Sequence, residues 1–244
     1  MRQDEYEIMH AHELSHWWFR GRRRMLVALL GEIAGPRAGS LRILDYGCGT
    51  GGNTSGYAAL GAVVGIEPDA AAVRLAQERG DAQYCRSNGT HLPFRQGAFD
   101  AVVASDVLEH IEDDLAAVSE IARVLRPGGA AIISVPAHQW LFSEHDVALH
   151  HFRRYNKAGL RDLLVHGGLR IRRLSYWNAA LFPAICLHRL LVKPRAGHEP
   201  RSDTRSSPWL INEALAAVLA AEAAVLCHVP LPWGVSLVAV AERV

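Results

Sequence analysis

The stretch Ile43-Leu44-Asp45-Tyr46-Gly47-Cys48-Gly49-Thr50-Gly51-Gly52 constrains this chain more than any other. An apolar strand runs directly into a glycine-rich turn, and residues 53–60 read as the helix behind it. Glycine leaves no Cβ between a ligand and the backbone, and a helix start offers unpaired N–H groups. The next apolar strand, 62–67, ends in Glu67, where a carboxylate can hold a pair of ribose hydroxyls. Strand, turn, helix, strand and acid describe a nucleoside-binding βαβ unit.

Gly47, Gly49 and Gly52 spell the dinucleotide pattern G-x-G-x-x-G, and Asp45 to Gly51 also spell D-x-G-x-G-x-G. In the second form the stretch resembles motif I of the class I S-adenosylmethionine (SAM)-dependent methyltransferases. The rest of the chain selects between the two. Leu92-Pro93-Phe94 precedes Phe99-Asp100 and the apolar run Ala101-Val102-Val103-Ala104. Val107-Leu108-Glu109-His110, Leu125-Arg126-Pro127-Gly128-Gly129 and a strand at 130–135 follow in order. This succession resembles the ubiquinone-type branch of that family over residues 41–176. A nicotinamide oxidoreductase is left with the literal G-x-G-x-x-G alone.

The 244 residues, half of them hydrophobic, suit a single α/β domain with additions. A formal net charge of +1 gives no general pull toward nucleic acid or anionic membrane. Cys48, Cys85, Cys186 and Cys227 have neither C-x-x-C pairing nor ligand spacing, which fits a reduced, cytoplasmic protein. The opening Met1-Arg2-Gln3-Asp4-Glu5 lacks the apolar core of a signal peptide. No run reaches the ~18 uninterrupted apolar residues of a membrane span.

Continuous apolar runs near 41–46, 62–67, 82–86, 99–105, 130–135 and 169–176 read as strands buried on both faces. Helical patterns fall near 4–33, 53–60, 69–79, 113–125, 156–167, 178–192 and 209–228. The alternation predicts a Rossmann-like, doubly wound sheet of seven strands, six parallel and the seventh antiparallel. Residues 1–40 form an N-terminal helical cap, 41–176 the SAM-binding core, 177–233 a helical insertion and 234–244 the last strand. The insertion is expected to wall the acceptor pocket, with a polar loop at 193–208.

The resemblance implies SAM as cofactor, with S-adenosylhomocysteine as product. Gly47 and Gly49 admit the methionine part, Asp45 orients the loop or meets the amino group, and Glu67 takes the ribose. Asn88 and Gly89 lie where the family meets adenine; Asn88 replaces the usual Asp and still offers an acceptor oxygen. Ser105 and Asp106 face the sulfonium. Asp106, Glu109 and His110 also resemble the E-x-x-E-H site of metal-binding relatives. Local hydrogen bonding is the reading adopted there, with no metal assigned and a divalent ion left open.

A polar cluster follows the fifth strand. His145 and His150 are candidate general bases beside His110, with Asp146 as orienter. Arg153, Arg154 and Tyr155 suit an acidic or phosphorylated acceptor. Trp17 and Arg20 are expected to close the pocket from the N-terminal cap. Glu222 sits in the middle of an apolar helical face, which predicts a polar pocket, an arginine partner or an incompletely buried face.

The function expected is methyl transfer to a small-molecule hydroxyl, the acceptor being hydrophobic or acidic. N- or C-methylation stays open. A non-catalytic module binding a membrane or partner through the apolar helices is the competing class. Neither the acceptor nor the oligomeric state is legible.

Overall fold

The computed structural model describes residues 3–191 and 208–244. Seven strands form one sheet: β1 (Leu41–Tyr46), β2 (Gly61–Glu67), β3 (Gln83–Arg86), β4 (Phe99–Ser105), β5 (Leu125–Pro136), β6 (Leu169–Trp177) and β7 (Ser236–Arg243). Their order is β3-β2-β1-β4-β5-β7-β6, with β7 antiparallel to both β5 and β6. The chain therefore starts in the middle of the sheet, winds outward to β3, and returns across β1 to β4. Adjacent β1 and β4 lead in opposite directions, and ligands of such sheets bind at the carboxyl ends there.

Both faces are covered. On one, α4 (Asp114–Val124) and α6 (Lys157–His166) pack Val118, Ile121, Leu160 and Leu164 against Val102, Ala104, Ile133 and Val135. On the other, α2 (Trp17–Ala34) and α8 (Trp209–Leu226) pack Met25, Leu29, Leu219 and Leu226 against Ile43, Val103, Ile132 and Val238. The central strands are buried residue after residue, as their unbroken apolar runs require. Three helices begin on Asp or Asn side-chain caps: Asp69 for α3 (Ala70–Gln77), Asp113 for α4 and Asn156 for α6.

Three expectations change. Residues 53–60 form two 3₁₀ turns, 54–56 and 58–60, rather than an α-helix. Asn53, Thr54, Ser55 and Gly56 are poor helix formers, and a Cβ on Gly56 would meet the Arg23 Cδ and Val27 Cγ2 at 3.0 Å. The glycine turn is thus not backed by a helix N-terminus. The segment 4–33 is two helices, α1 (Gln3–His12) and α2, separated where His16 turns extended and accepts from the Trp18 N–H. The insertion holds α7 (Phe182–Leu191) and α8, while 193–207 lies outside the described residues. α8 is long and apolar enough to cross a membrane by length and composition, despite the absence of an uninterrupted apolar run.

Candidate active site

The glycine turn lies at the carboxyl end of β1. Gly47 and Gly49 take φ of 74° and 54°, left-handed values that disfavour a side chain. A Cβ on Gly47 would stand 2.5 Å from the Val107 Cγ2, so the turn also packs against the β4 side of the cleft. The Gly49 N–H donates to the Glu67 carboxylate across 3.2 Å, and the Asp69 N–H donates to its other oxygen at 3.3 Å. Glu67 is buried at the end of β2, and desolvation raises its carboxyl above the ordinary value.

Asp45, at the end of β1, is fully enclosed and accepts from the Thr54 hydroxyl. Burial pushes its pKa up to about 7, with Glu13 and Glu67 adding repulsion against the pull of Thr54 and Arg22. This concentration of carboxylates around a glycine turn suits a cationic ligand, which would remove their mutual penalty. The sulfonium and ammonium of SAM have that charge, so the residues present fit the cofactor.

Glu13 is a site-proximal residue that sequence reasoning missed. From the break between α1 and α2 it accepts from the Thr50 hydroxyl and from Arg79, and it closes against Gly52. A Cβ on Gly49 would meet the Met9 Cε at 3.0 Å, so α1 lies over the turn. Nothing in residues 9–13 marks this in sequence, because the contact depends on where α2 turns the chain back.

At the end of β4, Ser105 and Ser134 share a hydrogen bond of 3.2 Å, and the Ser134 hydroxyl donates to Asp106 at 3.1 Å. Asp106 has φ 55° and receives the Arg22 guanidinium at 2.6 Å. Arg22, also missed, has a buried Nε with no hydrogen-bond partner. Its position between Arg20 and Arg23 on α2 gives no sequence signal of its own. Asn88 turns its side-chain oxygen back to Thr90, and Gly89 sits where a Cβ would meet the Tyr46 hydroxyl oxygen at 2.2 Å.

A 3₁₀ turn at Leu108–His110 carries the next groups. Glu109 is wholly buried, both its oxygens lack a hydrogen-bond partner, and desolvation beside Asp106 raises its pKa strongly. The His110 and His151 rings meet edge to face with centroids 4.5 Å apart. Desolvation, with His151 adding to it, draws the His110 imidazole below its ordinary pKa, although part of the residue stays open to solvent. Glu109, His110 and His151 offer ligand atoms within 4.8 Å of one another, a donor set that a divalent ion accepts. Asp106 does not complete that set; Arg22 and Ser134 hold it.

The polar cluster after β5 arranges itself differently from expectation. Asp146, at the heart of the short helix α5 (Glu144–Ala148), is fully buried and orients His151, whose Nδ1 lies 2.9 Å from its oxygen. Arg154 adds a buried two-bond pair to the same carboxylate at 2.8 and 3.0 Å, and these partners hold Asp146 well below the usual carboxylate range. His150 takes φ 57°, which turns its own side chain to solvent and delivers His151 inward. The side chain of His145 lies outside the described residues.

Most of the residues expected to hold the acceptor are occupied elsewhere. Arg153 bonds Asp114 at 2.9 Å and the Glu112 carbonyl, and the Tyr155 hydroxyl donates to Asp114 at 2.8 Å. Arg20 makes a two-bond pair with Glu213, fastening α2 to α8. Trp17, half-buried, packs against the core beneath these helices, its backbone N–H donating to the Asn212 side-chain oxygen at 2.8 Å. Glu222 resolves its buried charge through backbone: the Ala179 and Ala180 N–H groups donate to it at 2.8–3.0 Å.

A doubly wound sheet with one antiparallel strand, a glycine turn after β1 and an acid ending β2 defines a Rossmann-like nucleoside-binding domain. Residues 44–133 match the family model described as a methyltransferase domain. A relative from Mycobacterium sp. (strain JLS), an uncharacterized methyltransferase, is 34% identical over 131 residues, 53% of this chain and 52% of that one. The chain thus spans about half the length of such curated relatives. The [4+2]-cyclase SpnF superposes with a TM-score of 0.60 at 21% identity, covering 90% of this chain and 81% of the other. The Haemonchus contortus phosphoethanolamine N-methyltransferase 2, solved with SAM, gives 0.60 at 19% identity, covering 88% and 51%. These two structures share the fold. Residues 44–133 thus form a methyltransferase domain similar to those of the class I SAM-dependent methyltransferases.

Proposed function

We propose that this protein transfers the methyl group of SAM to a hydroxyl of a small molecule. The observation that carries the reading is the series Asp146–His151–His110 at the carboxyl edge of β4 and β5, one strand from the glycine turn. Bound SAM supplies an electrophilic methyl on a sulfonium. Every other requirement falls on protein groups that align the acceptor, exclude water and receive a proton.

Glu67 would hold the ribose hydroxyls, Asp45 would answer the ammonium, and the unpartnered Arg22 Nε would receive the carboxylate of the methionine part. Transfer forms the new C–O bond as the C–S bond breaks, and the hydroxyl proton leaves to an imidazole. His110 is the accessible one. Its depressed pKa keeps its lone pair free at neutral pH. Asp146, ionised by Arg154, can only accept, so His151 donates through Nδ1 and its ring is fixed against His110. A divalent ion held by Glu109, His110 and His151 would lower the hydroxyl pKa further; the proton step described needs only the imidazole.

The test is calorimetric titration with S-adenosylhomocysteine, followed by transfer from labelled SAM to a panel of phenols, catechols, carboxylic acids and amines. Saturable binding that Glu67→Ala abolishes, with label on an oxygen, supports the reading. Label on nitrogen or carbon replaces hydroxyl by another acceptor. Absence of binding by folded protein overturns the methyltransferase activity itself.

A further inference from the structure

Four rings meet where β5 and β6 end. His138 stacks flat on Tyr176, 7° from parallel with centroids 5.2 Å apart. Phe182, at the start of α7, stands 5.3 Å from the same imidazole, and Trp140, on the turn Gln139–Leu141, stands 5.5 Å from it. Trp140 and Phe182 meet each other edge to face at 6.3 Å. His138, Tyr176 and Phe182 are half-buried, whereas Trp140 is 61% exposed. The open indole is nevertheless braced. Nε2 of His138 lies 3.1 Å from the Gly234 carbonyl, and the Gln139 side-chain oxygen accepts from the Arg154 backbone N–H at 3.0 Å. His138 itself has φ 63° and ψ 101°, a strained backbone for a residue with a Cβ. Such strain persists only where the surroundings impose it, and it gathers at ligand sites. A large ring held open on a rigid support loses little freedom when another ring lies on it.

The place of the cluster says what it is for. β5 is parallel to β4, and both β5 and β6 are antiparallel to β7, so β4, β5 and β6 end on one edge. That edge also carries the glycine turn and His110. A series of bonds joins the rings to the proton acceptor. The Arg154 guanidinium donates to the Ala137 carbonyl at 3.2 Å and to Asp146 at 3.0 Å, and Asp146 holds His151 against His110. Two cations set the charge of the margin. The Lys157 ammonium lies 5.1 Å over the Tyr176 ring, and Arg154 is near enough to help draw the His138 imidazole below its ordinary pKa. An aromatic face takes either another ring or an organic cation. Positive charge at the margin repels the cation and leaves the ring. The geometry points to Trp140, backed by His138 and Phe182, as the platform on which an uncharged or anionic aromatic methyl acceptor lies, an assignment that rests on the methyl-transfer reading above.

The experiment follows phenol and salicylate by proton NMR as each is titrated against the full chain, with and without S-adenosylhomocysteine. Cyclohexanol and 2-hydroxycyclohexanecarboxylate are the saturated counterparts, and phenyltrimethylammonium is the aromatic cation. The ring protons of phenol and salicylate move upfield in a saturable way, and each binds at least about tenfold tighter than its counterpart and than the cation. Trp140→Ala weakens both by about tenfold and removes the upfield shift, while Trp140→Phe keeps most of each and circular dichroism stays unchanged in both variants. Protein that binds neither aromatic probe overturns the inference. So does a saturated counterpart or the cation bound as tightly as the phenols, or equal binding by Trp140→Ala and wild type. Phenols bound through Trp140 by protein that ignores S-adenosylhomocysteine support the aromatic platform and overturn only the methyl-transfer reading.

Discussion

The Arg22 guanidinium reaches from α2 to the Asp106 carboxylate at the end of β4, 2.6 Å away, and leaves its own Nε buried without a partner. One arginine therefore fastens the N-terminal cap to the sheet edge and keeps a donor in reserve. Its side chain is 13% exposed and that of Asp106 22%, so solvent weakens the pair only in part. Urea unfolding of Arg22→Met, Asp106→Asn and the double variant is expected to give a coupling of about 1–2 kcal/mol. Arg22→Met also weakens S-adenosylhomocysteine binding by about tenfold or more, as loss of a charged hydrogen bond would. Additive unfolding energies would remove the fastening role, and unchanged affinity would remove the carboxylate contact.

Asp45 gives a pH dependence with a definite sign. Its carboxyl is raised to about 7 in the folded, ligand-free protein by burial. The proton is held more tightly folded than unfolded, so this group's contribution to stability is full below about 4, the unfolded value, and is lost as pH rises toward 7. A ligand ammonium favours the ionised form. S-adenosylhomocysteine affinity is therefore expected to climb through pH 6–7 and level off above it, at most about tenfold per unit. Asp45→Asn should flatten that profile, and it should raise the melting temperature more at pH 8 than at pH 5. A wild-type profile as flat as the variant's would place the cofactor's ammonium elsewhere.

The strands were legible because each central strand is a continuous apolar run bounded by turns, as Ala101–Ala104 and Ala130–Ile133 show. The glycine turn and Glu67 were legible because their backbone and burial demands leave few residue choices. The contacts that finish the site were not. Arg22, Glu13 and His151 act through distances in sequence of 84, 37 and 41 residues respectively, to Asp106, Thr50 and His110. His150 and His151 are adjacent and chemically identical, and sequence does not tell which ring meets Asp146 and His110 and which, in left-handed backbone, stays exposed. Arg153, Arg154 and Tyr155 looked free because the carboxylates that occupy them come from elsewhere in the fold, Asp114 lying 39 and 41 residues before Arg153 and Tyr155, and Asp146 8 before Arg154.

Glu222 separates a structural carboxylate from a pocket carboxylate. It is 8% exposed and receives the N–H groups of Ala179 and Ala180 just ahead of α7. Removing it orphans those donors, at a cost of about 1–3 kcal/mol. Denaturant midpoints should fall strongly in Glu222→Ala and less in Glu222→Gln, which keeps one acceptor oxygen. Affinity for S-adenosylhomocysteine and the KM for acceptor should stay as in wild type. A large KM change in the folded Gln variant would instead return Glu222 to the acceptor pocket.

His110 carries the prediction most specific to the chemistry. Desolvation and the neighbouring His151 lower its pKa to about 4, so it stays neutral through the physiological range. A base works only when unprotonated, so kcat/KM should fall on acidification with a midpoint well below the ~6.5 of an ordinary histidine. His110→Asn should lower kcat by about 10²–10⁴-fold with cofactor affinity unchanged. His151 acts through His110 rather than on the acceptor. His151→Asn removes the neighbouring imidazole that helps lower the His110 pKa and frees the ring it braces, so the acid limb should move upward in pH while kcat drops less than in His110→Asn. Asp146→Asn, which loosens His151 by removing the carboxylate that fixes its Nδ1 hydrogen, should move the profile the same way. An acid limb at the ordinary histidine position, unmoved by either variant, would take the proton-acceptor role away from His110.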